Sequence, residues 1–522
     1  MMQFDRRTVL GILASLAGST AFAADSNTDD TRTLSGKVTD FDGPQLGKAE
    51  PFSVSGLEQR AKAMASKAYQ PRKQVPKAWR DLTYDQYRHY WFNTRQALWN
   101  NSDLPLRVDF FHPGLYFPRA VNINVVDGVQ ARKIRFDLDL FARTKEAVKL
   151  PIDDSLGFSG FRFRSELEKE GIFQEWSVFQ GASYFRCLGR GQNYGLSARG
   201  LALNTAKGQG EEFPEFTDYW IEKPKPGSRE ATVHALMDSK SVVGVYTFML
   251  VPDDLTIVDV TAVLYPRVEL DHVGLGPLTS MFLFDETNTS RFDDFRPAVH
   301  DSDGLAVFNG AGERIWRPLA NPKKLQVSSF VDNNPRGFGL MQRSRKFADF
   351  VDLEVAYHNR PSLWIEPKGN WGKGSVTLVE IPADREIYDN IVAYWRPRQP
   401  IPAGGEYRFA YRMSWGKEPF VETPVSHVLN TRSGTRFGGG RIFAIDFSPH
   451  AILPPDLADI SLHIGSNRGS VSKGILQRNP DTGGPRLSFT LKEGDATAVE
   501  MRAQLRHEGR AVSEVWLYRW TA

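Results

Sequence analysis

Two short segments place carboxylates where they could do chemistry. One is His300-Asp301-Ser302-Asp303, just ahead of the strand-like Leu305-Ala306-Val307-Phe308. The other is Glu386-Ile387-Tyr388-Asp389-Asn390, leading into Ile391-Val392-Ala393-Tyr394-Trp395. Cleavage of a glycosidic bond needs such a pair: one acid protonates the departing oxygen, and the second carboxylate activates water or attacks the sugar. Aspartates that merely cap turns look the same in sequence, because the short side chain bonds nearby backbone. Both readings stand at this level. Other constellations are missing. There is no H-E-x-x-H, C-x-x-C or G-x-S-x-G, the Gly-rich segments match neither phosphate loop, and the ten histidines never pair at metal-ligand spacing. No metal and no cofactor is expected, and zinc or serine hydrolysis is disfavoured. The single cysteine, Cys187, lies in the strand-like Tyr184-Phe185-Arg186-Cys187-Leu188. It is expected to be buried and structural, and no disulfide can form within the chain.

The elements that must position these acids are mostly strands. Val121, Ile123 and Val125 alternate with Asn122 and Asn124, Asp127-Gly128 turns the chain, and Ile134, Phe136, Leu138 and Leu140 alternate with polar residues. That is a hairpin with one buried and one wet face. Val242 to Leu250 and Thr256 to Tyr265 form another, joined through Pro252-Asp253-Asp254. Two helices precede them, each with a capping-box signature: Ser55 with Glu58, and Thr83 with Gln86. Similar strand runs recur up to about Trp415, so residues 49–416 read as one large antiparallel β-sandwich. Residues 417–440 carry Pro419, Pro424 and Gly438-Gly439-Gly440 without sustained periodicity and read as a linker. Residues 441–522 hold further short strands, the pattern of a small immunoglobulin-like sandwich.

The chain has 522 residues, 41% hydrophobic and 24% charged, with a net charge of +3. These are values of an ordinary globular protein, too weakly charged to argue for a nucleic-acid partner. The 12 Trp, 34 Phe and 16 Tyr suit strands and could also stack on sugar rings, though core filling explains most of them. At the start, Arg6-Arg7 precede an apolar run from Val9 to Gly18 that ends at Ala21-Phe22-Ala23. A basic start, a hydrophobic stretch shorter than the ~18 residues a membrane span needs, and an A-x-A site make residues 1–23 a secretory leader. The paired arginines make it a twin-arginine leader, which addresses folded chains to the periplasm. Residues 24–48, polar and rich in Asp, Thr and Gly, should form a flexible start.

Several longer motifs stand in one consistent order: Tyr194-Gly195-Leu196-Ser197-Ala198-Arg199-Gly200-Leu201-Ala202, His300-Asp301-Ser302-Asp303, Asn333-Asn334-Pro335-Arg336-Gly337-Phe338-Gly339-Leu340, Arg360-Pro361-Ser362-Leu363-Trp364-Ile365-Glu366-Pro367, Trp371-Gly372-Lys373-Gly374 and Asp389-Asn390-Ile391-Val392. With them the chain resembles the osmoregulated periplasmic glucan biosynthesis proteins, over nearly all its mature length. The twin-arginine leader points to the D rather than the G branch. The resemblance implies a mostly-β fold: a galactose-mutarotase-like sandwich with a cleft on one face, then the immunoglobulin-like unit. It also implies action on the β-1,2-linked glucose backbone of periplasmic glucans, by an endo-acting glucanase that inverts the anomeric carbon.

Carried over by motif, Asp389 matches the family's general acid and Asp301 its base-side carboxylate. For Asp389 to keep its proton near neutral pH, burial or nearby Glu386 must raise its pKa. Tyr357 and Glu386 match positions near the acid, in the proton path or on the sugar. Arg199, Arg360 and Trp364 are candidates for sugar contact, with scaffold roles as the alternative; Arg360 and Glu366 could equally form a structural ion pair. Three readings follow from the resemblance: a β-1,2-glucan hydrolase, a transglycosylase that cyclises or branches the glucan, for example through an α-1,6 bond, and a non-catalytic glucan-binding assembly protein. Contact with the membrane machinery of glucan synthesis and a dimeric state are further candidates. The leader yields a direct expectation. Arg6→Lys combined with Arg7→Lys retains the charge but removes the twin-arginine signal, so cell fractionation should find the precursor stranded in the cytoplasm. Normal export of the double variant would leave only a general secretory leader.

Overall fold

The computed structural model describes residues 43–208, 210–419 and 424–522. The leader, and all of the expected flexible start before Gly43, lie outside the described residues. The rest is mostly β, built from several stacked sheets. The large sheet, of 16 strands among the described residues, runs from Leu46–Pro51 through Val242–Val251 and Thr256–Pro266 to Tyr407–Gly416, Ser362–Lys368, Gly337–Met341, Gly304–Phe308 and Arg314–Pro318. The second sheet includes Gln326–Asn333, Lys373–Glu380, Ile391–Pro397, Val273–Ser280, Ser197–Arg199, Tyr184–Cys187 and Gln174–Gln180 in that order. Neither closes into a barrel. Where they face each other, Phe185 of the second sheet lies 5.0 Å from Phe248 and 5.8 Å from Trp415 of the first, ring centre to ring centre. This sheet-on-sheet contact is the main core.

The period-two readings locate their hairpins: Asn122–Asp127 pairs antiparallel with Gln130–Ile134, and Val242–Val251 with Thr256–Pro266. The first alternation extends less far than expected, because Leu138–Leu140 turns as a 3₁₀ helix capped by the Asp137 carboxylate. The helix Val54–Ala65 is capped by Ser53, not Ser55: Ser53 Oγ accepts the Gly56 N–H at 3.1 Å. Glu58 instead pairs with Arg408 at 2.6 Å. The Thr83–Gln86 capping box is present, on a single turn, Tyr84–Tyr87. Cys187 is buried and bonded to Ser177 Oγ, and burial pushes its thiol up to about 12.

Beyond Gly416 the chain enters a five-stranded sheet that includes Val428–Thr435, Arg441–Phe447 and Pro485–Lys492. Its first strand lies within residues 417–440. The strands Ser461–Ser466, Ala498–His507 and Val515–Thr521 take a different course. They extend the large sheet, through a parallel pairing of Ile315 with Val515 and Trp316 with Trp516. A second core fills the space between this extension and the five-stranded sheet. The strand Gly304–Phe308 serves both cores: Leu305 and Val307 face the first, Ala306 the second.

Trp364 also lies in that second core, beside Gly337 and Gly339, whose missing side chains admit its indole ring. A Cβ at residue 339 would come within 2.3 Å of the Leu363 carbonyl oxygen and 2.9 Å of the Trp364 ring. Backbone cannot yield as a flexible side chain does, so Gly339→Ala should destabilise the protein by ~1–3 kcal/mol. A lowered urea midpoint checks this; an unchanged one would mean that the neighbouring strand gives way freely.

Candidate active site

On the second sheet, alternation divides the side chains between two environments. Phe185 and Ala198 face the core, so their neighbours Tyr184, Arg186, Ser197 and Arg199 face the opposite side. Asp389 and Asn390 stand at the entrance of the adjoining strand Ile391–Pro397. Asp301 follows the two-residue strand Val299–His300, which pairs with Phe282–Phe284.

Backbone and amide hydrogen bonds tie the two acidic segments to one place. The Asp301 N–H donates to the Met281 carbonyl at 2.8 Å. Asn390 accepts the Phe282 N–H at 2.8 Å and donates to the Phe282 carbonyl at 2.9 Å. Ser302 and Ser280 share a hydroxyl contact of 2.8 Å. Asp301 and Asp389, far apart in sequence, are thereby held to neighbouring peptides.

Each carboxylate has an arginine beside it. Arg360 Nη1 is 3.1 Å from Asp301 Oδ1, and Arg186 Nη2 is 4.0 Å from Asp389 Oδ2. Both Asp side chains are only 5% exposed. Burial raises the pKa of Asp389 to about 6; the positive charges of Arg186, Arg360 and Arg199 oppose that rise, and the negative charge of Asp301 adds to it. Asp301 is likewise raised by burial, opposed by Arg360 and Arg186. Glu386 acts differently from the expectation. Its carboxylate is paired with Arg296 at 2.8 Å and accepts the Tyr357 hydroxyl at 3.0 Å. Its charge bears on Asp301 and Tyr357; the acid whose charge raises Asp389 is Asp301.

The other candidates divide. Arg360 and Tyr357 join the two aspartates, with the Arg360 guanidinium 5.1 Å from the Tyr357 ring centre. Arg360 pairs with Asp301, and Glu366 is exposed. Arg199 is buried against Glu211 at 2.8 Å, and its charge reaches Asp389. Trp364 is not brought to the carboxylates. The sequence reading missed Arg186, Arg296 and Asn390 as site residues. The first had a legible signal, a charged residue between the apolar Phe185 and Cys187 in a strand.

Several buried polar atoms here have no hydrogen bond within the protein: Asp389 Oδ2, Arg360 Nε, and Arg199 Nε and Nη2, while Asp301 Oδ1 and Arg360 Nη1 meet only each other, as an ion pair. Such atoms are rare in native proteins, and a cluster of them facing two acids is suited to hydroxyl-rich ligands. Two prominent cavities lie elsewhere and contain neither aspartate: one of about 550 Å³ lined by residues including Arg317, Phe330 and Arg519, and one of about 700 Å³ lined by residues including Leu46, Trp99 and Arg132. Among the described residues, no group of three or more His, Cys, Asp and Glu side chains is placed to hold a metal ion.

Comparison with known proteins adds an independent finding. The family model described as "Periplasmic glucan biosynthesis protein, MdoG" matches residues 52–520. The chain is 45% identical to a "Glucans biosynthesis protein G" of Shewanella sp. (strain ANA-3), covering 98% of this chain and 97% of that protein. It is 47% identical to "Glucans biosynthesis protein G 1" of Shewanella oneidensis, covering 91% and 88%. A "Glucans biosynthesis protein G" of Shewanella baltica (strain OS195) is 46% identical over the same shares. These matches overturn the expectation of the D branch, since they name the G branch throughout. That expectation rested on the leader, whereas the similarity runs through the folded body.

Burial of Asp389 has a consequence independent of turnover. With a folded pKa of about 6 against an ordinary 3.8, ionisation of Asp389 disfavours the folded state. Its favourable, protonated form is fully present below the ordinary value and is lost as pH rises through 6. Asp389→Asn, always neutral, should therefore be more stable than wild type at pH 7.5, by ~1–3 kcal/mol, with the difference vanishing below pH 4. Urea unfolding at the two pH values checks this; equal stabilities at pH 7.5 would mean that the arginines fully compensate the buried charge.

Proposed function

The chain belongs to the MdoG family of periplasmic glucan biosynthesis proteins and is a periplasmic protein, and on that premise we propose that it is an inverting endo-β-1,2-glucanase with Asp389 as general acid. The observation that carries this reading is the pair of buried aspartates held to one dipeptide, beside guanidinium donors, Arg360 Nε and Arg199 Nε and Nη2, that no protein acceptor satisfies. Asp389 keeps its proton up to about pH 6 and can deliver it to the departing glucosyl oxygen. Asp301, with a guanidinium at 3.1 Å, is the better compensated charge and serves the base side. The proton of the attacking water reaches it by relay through water and sugar hydroxyls. Arg360, Arg199 and the Tyr357–Glu386 pair line the sugar or its proton path. We read the two large sheets as a galactose-mutarotase-like sandwich and the last unit as immunoglobulin-like.

The low exposure of both carboxylates favours a second reading on the same residues, transfer to a sugar hydroxyl in place of water. Incubation with linear β-1,2-glucan separates the readings. Shorter chains with new reducing ends mark hydrolysis, a product without a reducing end marks cyclisation, and unchanged glucan marks a binding protein and ends the enzymatic proposal. Asp389→Asn should lower kcat by ~10²–10⁴ with KM little changed. The wild-type rate should fall on its alkaline side near pH 6, as Asp389 loses its proton.

A further inference from the structure

Four consecutive residues, Gln342 to Arg345, join three parts of the molecule. Gln342 Nε2 donates to the carbonyls of His300 at 2.9 Å and Tyr357 at 3.4 Å. The N–H groups of Arg343 and Ser344 both donate to Asp303 Oδ2, at 2.9 and 3.1 Å. Arg345 donates to the carbonyls of His358 and Arg360, to Ser362 Oγ at 3.1 Å and to the Lys417 carbonyl at 3.0 Å. The residues flanking Asp301, and those flanking its partner Arg360, thus hang on the same short segment.

The Arg343 side chain turns the other way. Its guanidinium lies 3.7 Å over the Trp316 ring and grips Glu514 through two bonds of 2.8 Å, with a further bond of 2.6 Å to the Val428 carbonyl. Glu514 also accepts the Val428 N–H at 2.8 Å. Both side chains are close to dry, 12% and 4% exposed. A two-pronged arginine–carboxylate contact fixes angle as well as distance, which a single bond to lysine does not. Few interactions are better suited to carry orientation from one part of the fold to another.

We propose that Arg343 and Glu514 are positioning residues: through them the C-terminal unit fixes the turn that carries Asp301 and its contact with Arg360. The catalytic consequence rests on the glucanase reading above; the structural one does not. Loss of the fork lets Arg343 tilt, the Arg343 and Ser344 amides swing with it, and Asp303 releases the turn. Misplacement of a catalytic group by about 1 Å can cost ~10²-fold in rate, so even a small tilt registers.

Two variants of the full chain test this, Glu514→Gln and Arg343→Lys, with Asp446→Asn as control. Asp446 is a buried carboxylate of the same C-terminal unit, gripped by Arg486 through two bonds of 2.7 Å, and its side chain bonds only Arg486 and Asn479, not the Gln342–Arg345 segment. Amide hydrogen exchange is read at residues 299–303 and 357–362, where the Asp301, Asp303 and Arg360 N–H groups are bonded to Met281, Met341 and Tyr357. Exchange there should accelerate about tenfold in both variants and not in the control. On linear β-1,2-glucan, kcat should fall about tenfold with KM within about twofold. Wild-type exchange in Glu514→Gln and Arg343→Lys, or equal acceleration in Asp446→Asn, would overturn the proposal. A wild-type protein that leaves glucan untouched would defeat the glucanase reading alone, because the exchange measurement still decides whether the pair positions the turn.

Discussion

Met281 and Phe282 stand at the end of the core strand Val273–Ser280, and their peptide groups hold both candidate acids. One carbonyl takes the Asp301 N–H; the next residue's N–H and carbonyl are both satisfied by the Asn390 amide, which mimics a neighbouring strand. The mimicry is needed because two buried carboxylates repel. The Asp301 charge disfavours ionisation of Asp389, and in a site this dry the repulsion would drive flexible supports apart. Anchoring both segments to one rigid dipeptide removes that freedom. Leu275 and Leu278, fully buried on the same strand, keep the dipeptide in register.

The arginines around the site resolve the remaining conflict. Isolated buried carboxylates would stay protonated, and carboxylates each in a tight ion pair would both stay charged. Unequal contacts, 3.1 Å for Asp301 and 4.0 Å for Asp389, leave the two acids in different circumstances. The unpaired donors on Arg360 and Arg199 are the cost of that arrangement. A core designed only for stability would not contain them.

Local patterning carried the sequence reading as far as local physics reaches. The hairpin at Asn122–Asp127 was legible because one face is wet and the other dry, and the one at Val242–Val251, buried over most of its length, because an apolar run ends in a turn. The Thr83 cap was legible because its partner is three residues away. The Ser53 cap was obscured by a second serine at 55 with a glutamate correctly spaced from it, although that glutamate is drawn off by Arg408 from far along the chain. Val428–Thr435 was hidden because its burial comes partly from a distant element: Trp516 bonds to Thr431. Trp364 in its motif looked equally suited to a sugar face or a core, and only the glycines at 337 and 339, on a different strand, decide the matter. Gln342-Arg343-Ser344-Arg345 reads as an unremarkable polar stretch; its contacts all lie with residues that no periodicity connects to it.

The parallel pairing of Ile315 with Val515 bears on how the molecule is made. During synthesis Arg314–Pro318 emerges and pairs with Gly304–Phe308, but its other edge has no strand to meet until Val515–Thr521 leaves the ribosome. Through that interval the nascent large sheet presents an open edge beside the apolar Ala306 and Trp316, the kind of surface that recruits other chains. The large sheet is therefore completed only once Val515–Thr521 has emerged. The cell must shelter that edge from the time residue 318 emerges until residue 515 follows it.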